Sequence, residues 1–162
     1  MTGFMGTGKS AVGKEISRRL SLRFIDIDHE IEKAEAMPIK DIFAKKGETY
    51  FREIETEMIR KFSAEKKVII ATGGGAVLRE ENLAALRENG TIFCLAARPE
   101  TIHDRTGRND DRPLLKGDDR MRKIIELLSS RSLLYAQAGI IIDTDDKTPL
   151  QVADEIIGIA SR

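Results

Sequence analysis

A chain of 162 residues is long enough for one compact domain and too short for two, and 41% hydrophobic residues suffice to cover a core, which excludes a disordered chain. Lysine and arginine total 27, as do aspartate and glutamate, so the formal charge is zero and a dedicated nucleic-acid or anionic-membrane binder, which needs a basic excess, is not expected. The single cysteine, Cys94, allows neither an internal disulfide nor a thiolate zinc cluster, and the apolar run Ile92-Phe93-Cys94-Leu95 marks it as a buried strand thiol.

The chain opens on a glycine-rich stretch, Met1 to Ser10, followed by a helical pattern in which Val12, Ile16 and Leu20 recur every four residues and turn one stripe to a core. Phe24-Ile25-Asp26-Ile27-Asp28 reads as a short buried strand ending in acids, with a helix from Glu30 to Ala36 after it. Pro38 suits the first turn of a helix that ends near Gly47, and a second runs from Glu48 to Ser63 with Phe51, Ile54, Met58 and Phe62 on one face. Val68-Ile69-Ile70-Ala71 is an unbroken apolar run, as in a strand covered on both sides, and it stops at Thr72-Gly73-Gly74-Gly75. A helix from Glu80 to Asn89 follows, then a strand from Thr91 to Ala96, and Pro99 opens another helix. From Gly107 to Asp119 periodicity gives way to a long polar loop, a feature that in compact domains is usually functional or disordered. A long helix from Arg120 to about Tyr135, a strand at Ile140-Ile141-Ile142 and an amphipathic helix from Pro149 complete the chain. Short apolar strands alternating with helices predict one α/β domain with a parallel sheet and helices on both faces. No apolar stretch approaches the ~18 residues of a membrane span, and the first residues lack a signal-peptide pattern, so a soluble cytoplasmic protein is expected.

Gly3-Phe4-Met5-Gly6-Thr7-Gly8-Lys9-Ser10 fits G-x-x-x-x-G-K-[ST] at every required position. Glycines let the backbone curl so that successive N–H groups face phosphate oxygens, and the loop ends at a helix N-terminus whose partial positive charge favours the same anion. Lys9 would reach the β- and γ-phosphates, and the Ser10 hydroxyl would bind Mg²⁺. Only Met1 and Thr2 precede Gly3, too few for the buried strand from which such a loop hangs.

Asp26 and Asp28 fall at the C-terminal end of a predicted parallel strand, where ligands of open α/β sheets collect. Two apart on a strand, they would point the same way, one towards a metal shell and its neighbour towards a substrate hydroxyl. Asp28 also fits the plainer role of capping the helix behind it. Arg52 and Glu55, at i,i+3, read alone as a surface pair, and Arg131, four residues before Tyr135, reads alone as surface. Gly73-Gly74-Gly75 after a strand would let a ligand approach the backbone closely. Arg105, Arg108 and Arg112 stand on or beside the polar loop, where arginine can neutralise a transferring phosphoryl group. His29 and His103 have no nucleophile motif near them and read as non-catalytic.

In this order the motifs resemble shikimate kinase, a small family of the nucleoside-monophosphate-kinase-like P-loop group. The resemblance covers nearly the whole chain: Gly3 to Ser10, the run from Phe24 through Asp26 and Asp28 to Glu32, and Phe51-Arg52 with Glu55. Gly73-Gly74-Gly75-Ala76-Val77, Arg112-Pro113-Leu114-Leu115 and Arg131 with Tyr135 complete it. It implies a single three-layer α/β/α domain over residues 1–162, with a parallel sheet ordered 2-3-1-4-5, a lid at about 107–119 and substrate-binding helices at about 29–63. The implied reaction is ATP-dependent phosphorylation of the 3-hydroxyl of shikimate. The resemblance assigns catalysis to Lys9, Asp28 and Arg112. It assigns ATP to Gly6, Thr7, Gly8, Lys9, Ser10, Ala11, Arg105, Arg112 and Lys147. Shikimate falls to Asp28, Arg52, Gly73, Gly74, Gly75 and Arg131, with Glu55 fixing Arg52. Mg²⁺ falls to Ser10 and, through water, Asp26. No nucleic-acid or membrane partner is implied, and a monomer is expected.

There are two departures. Lys147 stands where many relatives carry an adenine-side arginine, and lysine stacks less well. The first strand, central in the implied sheet, is missing, from which we expect a mis-set start or a chain cut short, lower stability and poor ATP binding. A kinase for another small polyol or acid, such as gluconate, and a catalytically silent regulatory module that binds nucleotide or shikimate remain as alternatives.

Overall fold

The computed structural model describes residues 1–107 and 119–161. In chain order its elements are β1 (Thr2–Gly3), α1 (Lys9–Leu20), β2 (Arg23–Asp26), α2 (Ile27–Glu35), α3 (Ile39–Ser63) and β3 (Val68–Ala71). After a short 3₁₀ turn (Ala76–Leu78) come α4 (Glu80–Glu88), β4 (Phe93–Ala96), α5 (Pro99–Thr106), α6 (Arg120–Ala138), β5 (Ile140–Asp143) and α7 (Pro149–Ala160).

Every strand pairing is parallel. β1 lies against β4 with Thr2 opposite Cys94, β4 against β5 with Phe93 opposite Ile140, and β2 against β3 with Arg23 opposite Val68. The Met1 nitrogen donates to the Ile70 carbonyl (2.5 Å) and the Thr72 N–H donates to the Met1 carbonyl (3.0 Å), which joins β3 to the β1 side of the sheet. Where the sequence reading leaves the central position unfilled, Thr2 and Gly3 thus form a two-residue strand. Gly3 cannot be replaced there: its φ of 132° is a glycine conformation, and a Cβ would strike the Leu95 carbonyl oxygen. Parallel order brings the C-terminal ends of β1, β2 and β3 together, and these deliver the phosphate loop, Asp26 and the triple glycine to one place.

On one face, Val12 and Ile16 of α1 and Val152, Ala153 and Ile156 of α7 pack on Phe93, Leu95 and Ile142. Thr148 and Gln151 form a capping box at the start of α7, with Pro149 in the first turn. The predicted stripe of α1 changes at its end, where Leu20 is 44% exposed, while Gly13, in mid-helix, is buried against Phe24 and Met1. On the other face, Phe4, Ile102 and Ile124 form one cluster and Val77, Leu83, Ile92 and Ala138 another. Ile25, Ile27, Ile31, Ile42, Phe51 and Ile59 fill the space between the β2–β3 pair and helices α2 and α3. Truncating any one of these fully enclosed isoleucines to alanine costs about 2–5 kcal/mol.

Two further expectations are corrected. The strand at Phe24–Asp28 ends at Asp26, and Asp28 sits in the first turn of α2, because Ile27 and Ile31, four apart and both wholly buried, draw the segment into a helix. Acids in that first turn also meet the positive helix terminus. The break expected near Gly47 is present: Gly47 leaves helical geometry at φ 85° and ψ 168°, so α3 is two helices meeting at a kink, the second leading to Ser63. Unbroken apolar runs do not ensure cover on both faces: Val68 to Ile70 are half-buried, and on the edge strand β5 Ile140 and Ile141 are exposed. No helix among the described residues is long and apolar enough to cross a membrane.

Candidate active site

The turn from β1 into α1 wraps around a cleft of about 340 Å³ lined by Gly6, Gly8, Lys9, Ser10, Ala11, Asp26, Asp28 and Arg105. Gly8 caps α1 at φ 93°, so the first amides of the helix open onto this cleft. Thr7 is buried and its hydroxyl donates to the Phe4 carbonyl (2.7 Å), pinning the loop from inside. The Lys9 ammonium folds back over the loop and donates to the carbonyls of Gly3 (2.8 Å) and Phe4 (2.9 Å). Ser10 donates its hydroxyl to the Asp26 carboxylate at 2.6 Å, so a hydroxyl and a carboxylate stand side by side at the mouth of the loop. That pair offers only oxygen, the donor set a magnesium ion prefers.

Arg105, on α5, fixes the opposite rim. Its guanidinium donates to the Thr144 carbonyl (2.7 Å) and hydroxyl (3.0 Å), and its Nη1 comes within 3.5 Å of the Gly6 carbonyl. Lys147 does not line this cleft; its ammonium pairs with Glu155 on α7 at 2.8 Å. Arg112 and the rest of the segment 108–118 lie outside the described residues.

A second cleft, of about 520 Å³, shares Met5, Asp28 and Gly74 with the first. Its walls bring together Asp28 from α2, Arg52 and Glu55 from α3, Gly73, Gly74 and Gly75 after β3, and Arg131 from α6. The surface reading of Arg52, Glu55 and Arg131 is corrected: the two arginines are each 8% exposed and Glu55 is wholly buried, because α3 and α6 close over the glycine turn. Arg52 donates from Nη1 to Glu55 (2.7 Å) and from Nη2 to Glu48 (3.1 Å), so two carboxylates aim its remaining N–H groups. Arg131 has no carboxylate partner among the described residues, which leaves its charge available to an anion in the cleft.

The carboxylates carry the opposite deficit. Asp28 Oδ1 and Glu55 Oε1 are buried with no hydrogen-bond partner, and both border the same point: a Cβ on Gly73 would lie 2.8 Å from the first and 2.6 Å from the second. Unpaired buried acceptors are rare because each forfeits its solvation, and two at one point call for a donor from outside the chain. Burial, reinforced by the neighbouring charges of Glu55 and Asp26, pushes the Asp28 carboxyl from 3.8 up to about 7, against the pull of Lys9 and Arg52. Burial also raises Glu55, more than the Arg52 guanidinium lowers it. A carboxylate titrating near neutrality between two clefts is suited to accept a proton from a hydroxyl.

Asp26 and Asp28 thus serve one site although they do not share a strand: β2 ends at the first and α2 presents the second one half-turn later. Sequence reasoning did not single out Glu48 or Thr144, although Glu48 stands at i−4 from Arg52, the spacing of a helical ion pair; nothing local marks Thr144. His29 is exposed, and neither histidine is among the residues lining these two clefts. Cys94 is buried, and burial lifts its thiol to about 11, so it is not a nucleophile.

A family profile described as shikimate kinase matches residues 5–160. A shikimate kinase of Persephonella marina is 47% identical over 158 residues, 98% of this chain and 95% of the relative. One of Thermodesulfovibrio yellowstonii is 47% identical over 157 residues, 97% of this chain and 91% of the relative. The solved structure of a shikimate kinase from Acinetobacter baumannii in complex with shikimate superposes with a TM-score of 0.95 at 34% identity, covering 99% of this chain and 90% of that one.

Proposed function

We propose, for a chain that belongs to the shikimate kinase family, which residues carry each part of the reaction. The activity is ATP-dependent phosphorylation of the 3-hydroxyl of shikimate, giving 3-phosphoshikimate and ADP in the pathway to the aromatic amino acids. The observation that carries the residue assignment is the second cleft: two guanidiniums and two unpaired carboxylate oxygens, next to a phosphate loop and sharing Asp28 with it. A small acid bearing hydroxyl groups satisfies both deficits at once.

In this reading Arg52 and Arg131 hold the substrate carboxylate by charge-assisted hydrogen bonds, Glu55 and Glu48 keep Arg52 oriented, and the amides of Gly73, Gly74 and Gly75 border the ring. Gly6, Thr7, Gly8, Lys9, Ser10 and Ala11 cradle the phosphates of ATP, and Arg105 borders the base. Asp28 accepts a hydrogen bond from the 3-hydroxyl and takes its proton as the oxygen attacks the γ-phosphorus. The bond from that phosphorus to the bridging oxygen breaks, and its electron pair leaves with ADP. Lys9 leaves the Gly3 and Phe4 carbonyls for the phosphate oxygens and balances their charge, a role that Arg112 shares. Ser10 and, through water, Asp26 would hold Mg²⁺, which supplies charge neutralisation at the phosphate oxygens when bound. Lys147 is assigned a place near the base only if its pair with Glu155 opens. The fold is read as a single domain acting as a monomer.

The test is ADP release measured with the purified chain, with and without shikimate, for the native protein and Arg52→Lys. Shikimate-dependent release, with KM for shikimate raised about 10-fold or more in the variant, agrees with loss of a charge-assisted bond. An unchanged KM for shikimate would remove Arg52 from the binding role.

A further inference from the structure

The reaction above gives no task to Tyr135, a half-buried side chain beside both clefts. Tyr135, on the turn of α6 after Arg131, donates its hydroxyl to the Gly74 carbonyl at 2.7 Å, and its ring meets the edge of Phe4 in the phosphate loop at 6.4 Å and 82°. Gly74 borders both clefts, and a Cβ there would lie 3.3 Å from the Met5 nitrogen and 3.4 Å from the Gly3 carbonyl. The turn is therefore wedged between the phosphate loop and α6 and has no side chain of its own to hold it.

The Gly74 carbonyl belongs to the peptide that also carries the Gly75 N–H. A trans peptide is planar, so fixing the carbonyl towards Tyr135 sends that N–H the opposite way. Among the described residues no hydrogen bond takes up the N–H of Gly74 or Gly75, although both residues line the substrate cleft. Gly75 also packs directly on the Arg52 guanidinium, which a Cβ at that position would strike. Without the tyrosine bond, rotation of a Gly–Gly peptide costs little, since neither residue restricts φ and ψ.

We infer that Tyr135 is a positioning residue: its hydroxyl locks the Gly74–Gly75 peptide so that a backbone N–H faces the substrate cleft beside Arg52. One side chain then links the helix that carries Arg131 to the turn that completes the binding surface. The substrate class it serves is the anionic, hydroxylated acid already assigned, so the inference rests on that reading of the cleft. Phenylalanine would keep the ring contact with Phe4 and remove only the donor.

Tyr135→Phe is compared with the native enzyme by steady-state kinetics and thermal melting, with Arg52→Lys alongside. The expected result is a KM for shikimate raised about 5-fold, the loss of one neutral hydrogen bond, with KM for ATP changed less than about 2-fold. A melting temperature that falls while both KM values stay put would make Tyr135 merely structural and overturn the inference, as would equal rises in both KM values. If Arg52→Lys also left the shikimate KM unmoved, the assignment of the cleft would fail instead, so the two failures are separable. A second readout needs no substitution at the site. Tyr50 and Tyr135 are the two tyrosines of the chain, so 3-fluorotyrosine incorporated into Tyr50→Phe gives a single fluorine resonance. That resonance moves on addition of shikimate alone; a resonance indifferent to shikimate overturns the inference.

Discussion

Replacing Asp28 with asparagine tests the electrostatics of the site through stability as well as rate. The carboxyl titrates near 3.8 in an unfolded chain and at about 7 in the folded protein, where burial and the charges of Glu55 and Asp26 oppose ionisation. Below 3.8 the group is neutral in both states and its full contribution to stability is present. Between 3.8 and about 7 the folded state keeps a proton that the unfolded state has lost, so stability falls as pH rises and levels off once the folded group has ionised. Asparagine never ionises, so the variant lacks this decline. At about 1.4 kcal/mol per pH unit, the native protein loses about 3 kcal/mol relative to Asp28→Asn between pH 5 and pH 8. For a domain of this size each kcal/mol moves Tm by about 3 °C, so the difference in Tm between the two proteins widens by about 9 °C over that range. Activity moves the other way. kcat/KM of the native enzyme rises through an apparent pKa near 7, and the variant loses about 10²- to 10⁴-fold at pH 8 through the missing base. The assays are thermal melts and initial rates across the same buffers. A Tm difference that is the same at pH 5 and pH 8 would refute the claim that Asp28 is held protonated by its surroundings.

Gly73→Ala places a methyl carbon 2.6 Å from Glu55 Oε1 and 2.8 Å from Asp28 Oδ1, so both carboxylates must shift. KM for shikimate is expected to rise at least about 10-fold with KM for ATP unchanged, the equivalent of one lost charge-assisted contact; equal changes in both would place Gly73 outside the substrate cleft. Arg105→Ala removes the donors to Thr144 and Gly6 that hold the rim of the phosphate cleft. KM for ATP should rise about 10-fold while KM for shikimate stays constant, and the reverse pattern would contradict the division between the clefts.

The phosphate loop can be read from eight consecutive residues because its chemistry is backbone chemistry, set by where glycine, lysine and serine fall. Most helix boundaries follow for a similar reason, with Pro99 and Pro149 at starts and Gly47 at a break. Asp28 was misplaced because Phe24-Ile25-Asp26-Ile27-Asp28 alternates as a strand does, while the competing four-residue spacing of Ile27 and Ile31 wins only when α3 is there to bury both. Burial of Arg52, Glu55 and Arg131 depends on two helices meeting a glycine turn from distant parts of the chain, and the i,i+3 spacing of the first pair looks the same on a surface. Ile140 and Ile141 show the converse: an apolar run states what could be covered, and the edge position of β5 decides that part of it is not. Lys147 is given to the nucleotide by the resemblance alone; what the structure adds is its pair with Glu155 on α7, which no local pattern before the last helix marks.

The most direct test of the whole account is a crystal structure of the chain with ADP and shikimate bound together. The account predicts the shikimate carboxylate between Arg52 and Arg131, and a ring hydroxyl within about 3 Å of Asp28 on the side facing Lys9. A shikimate molecule whose carboxylate touches neither guanidinium, or whose hydroxyls do not reach Asp28, would contradict it.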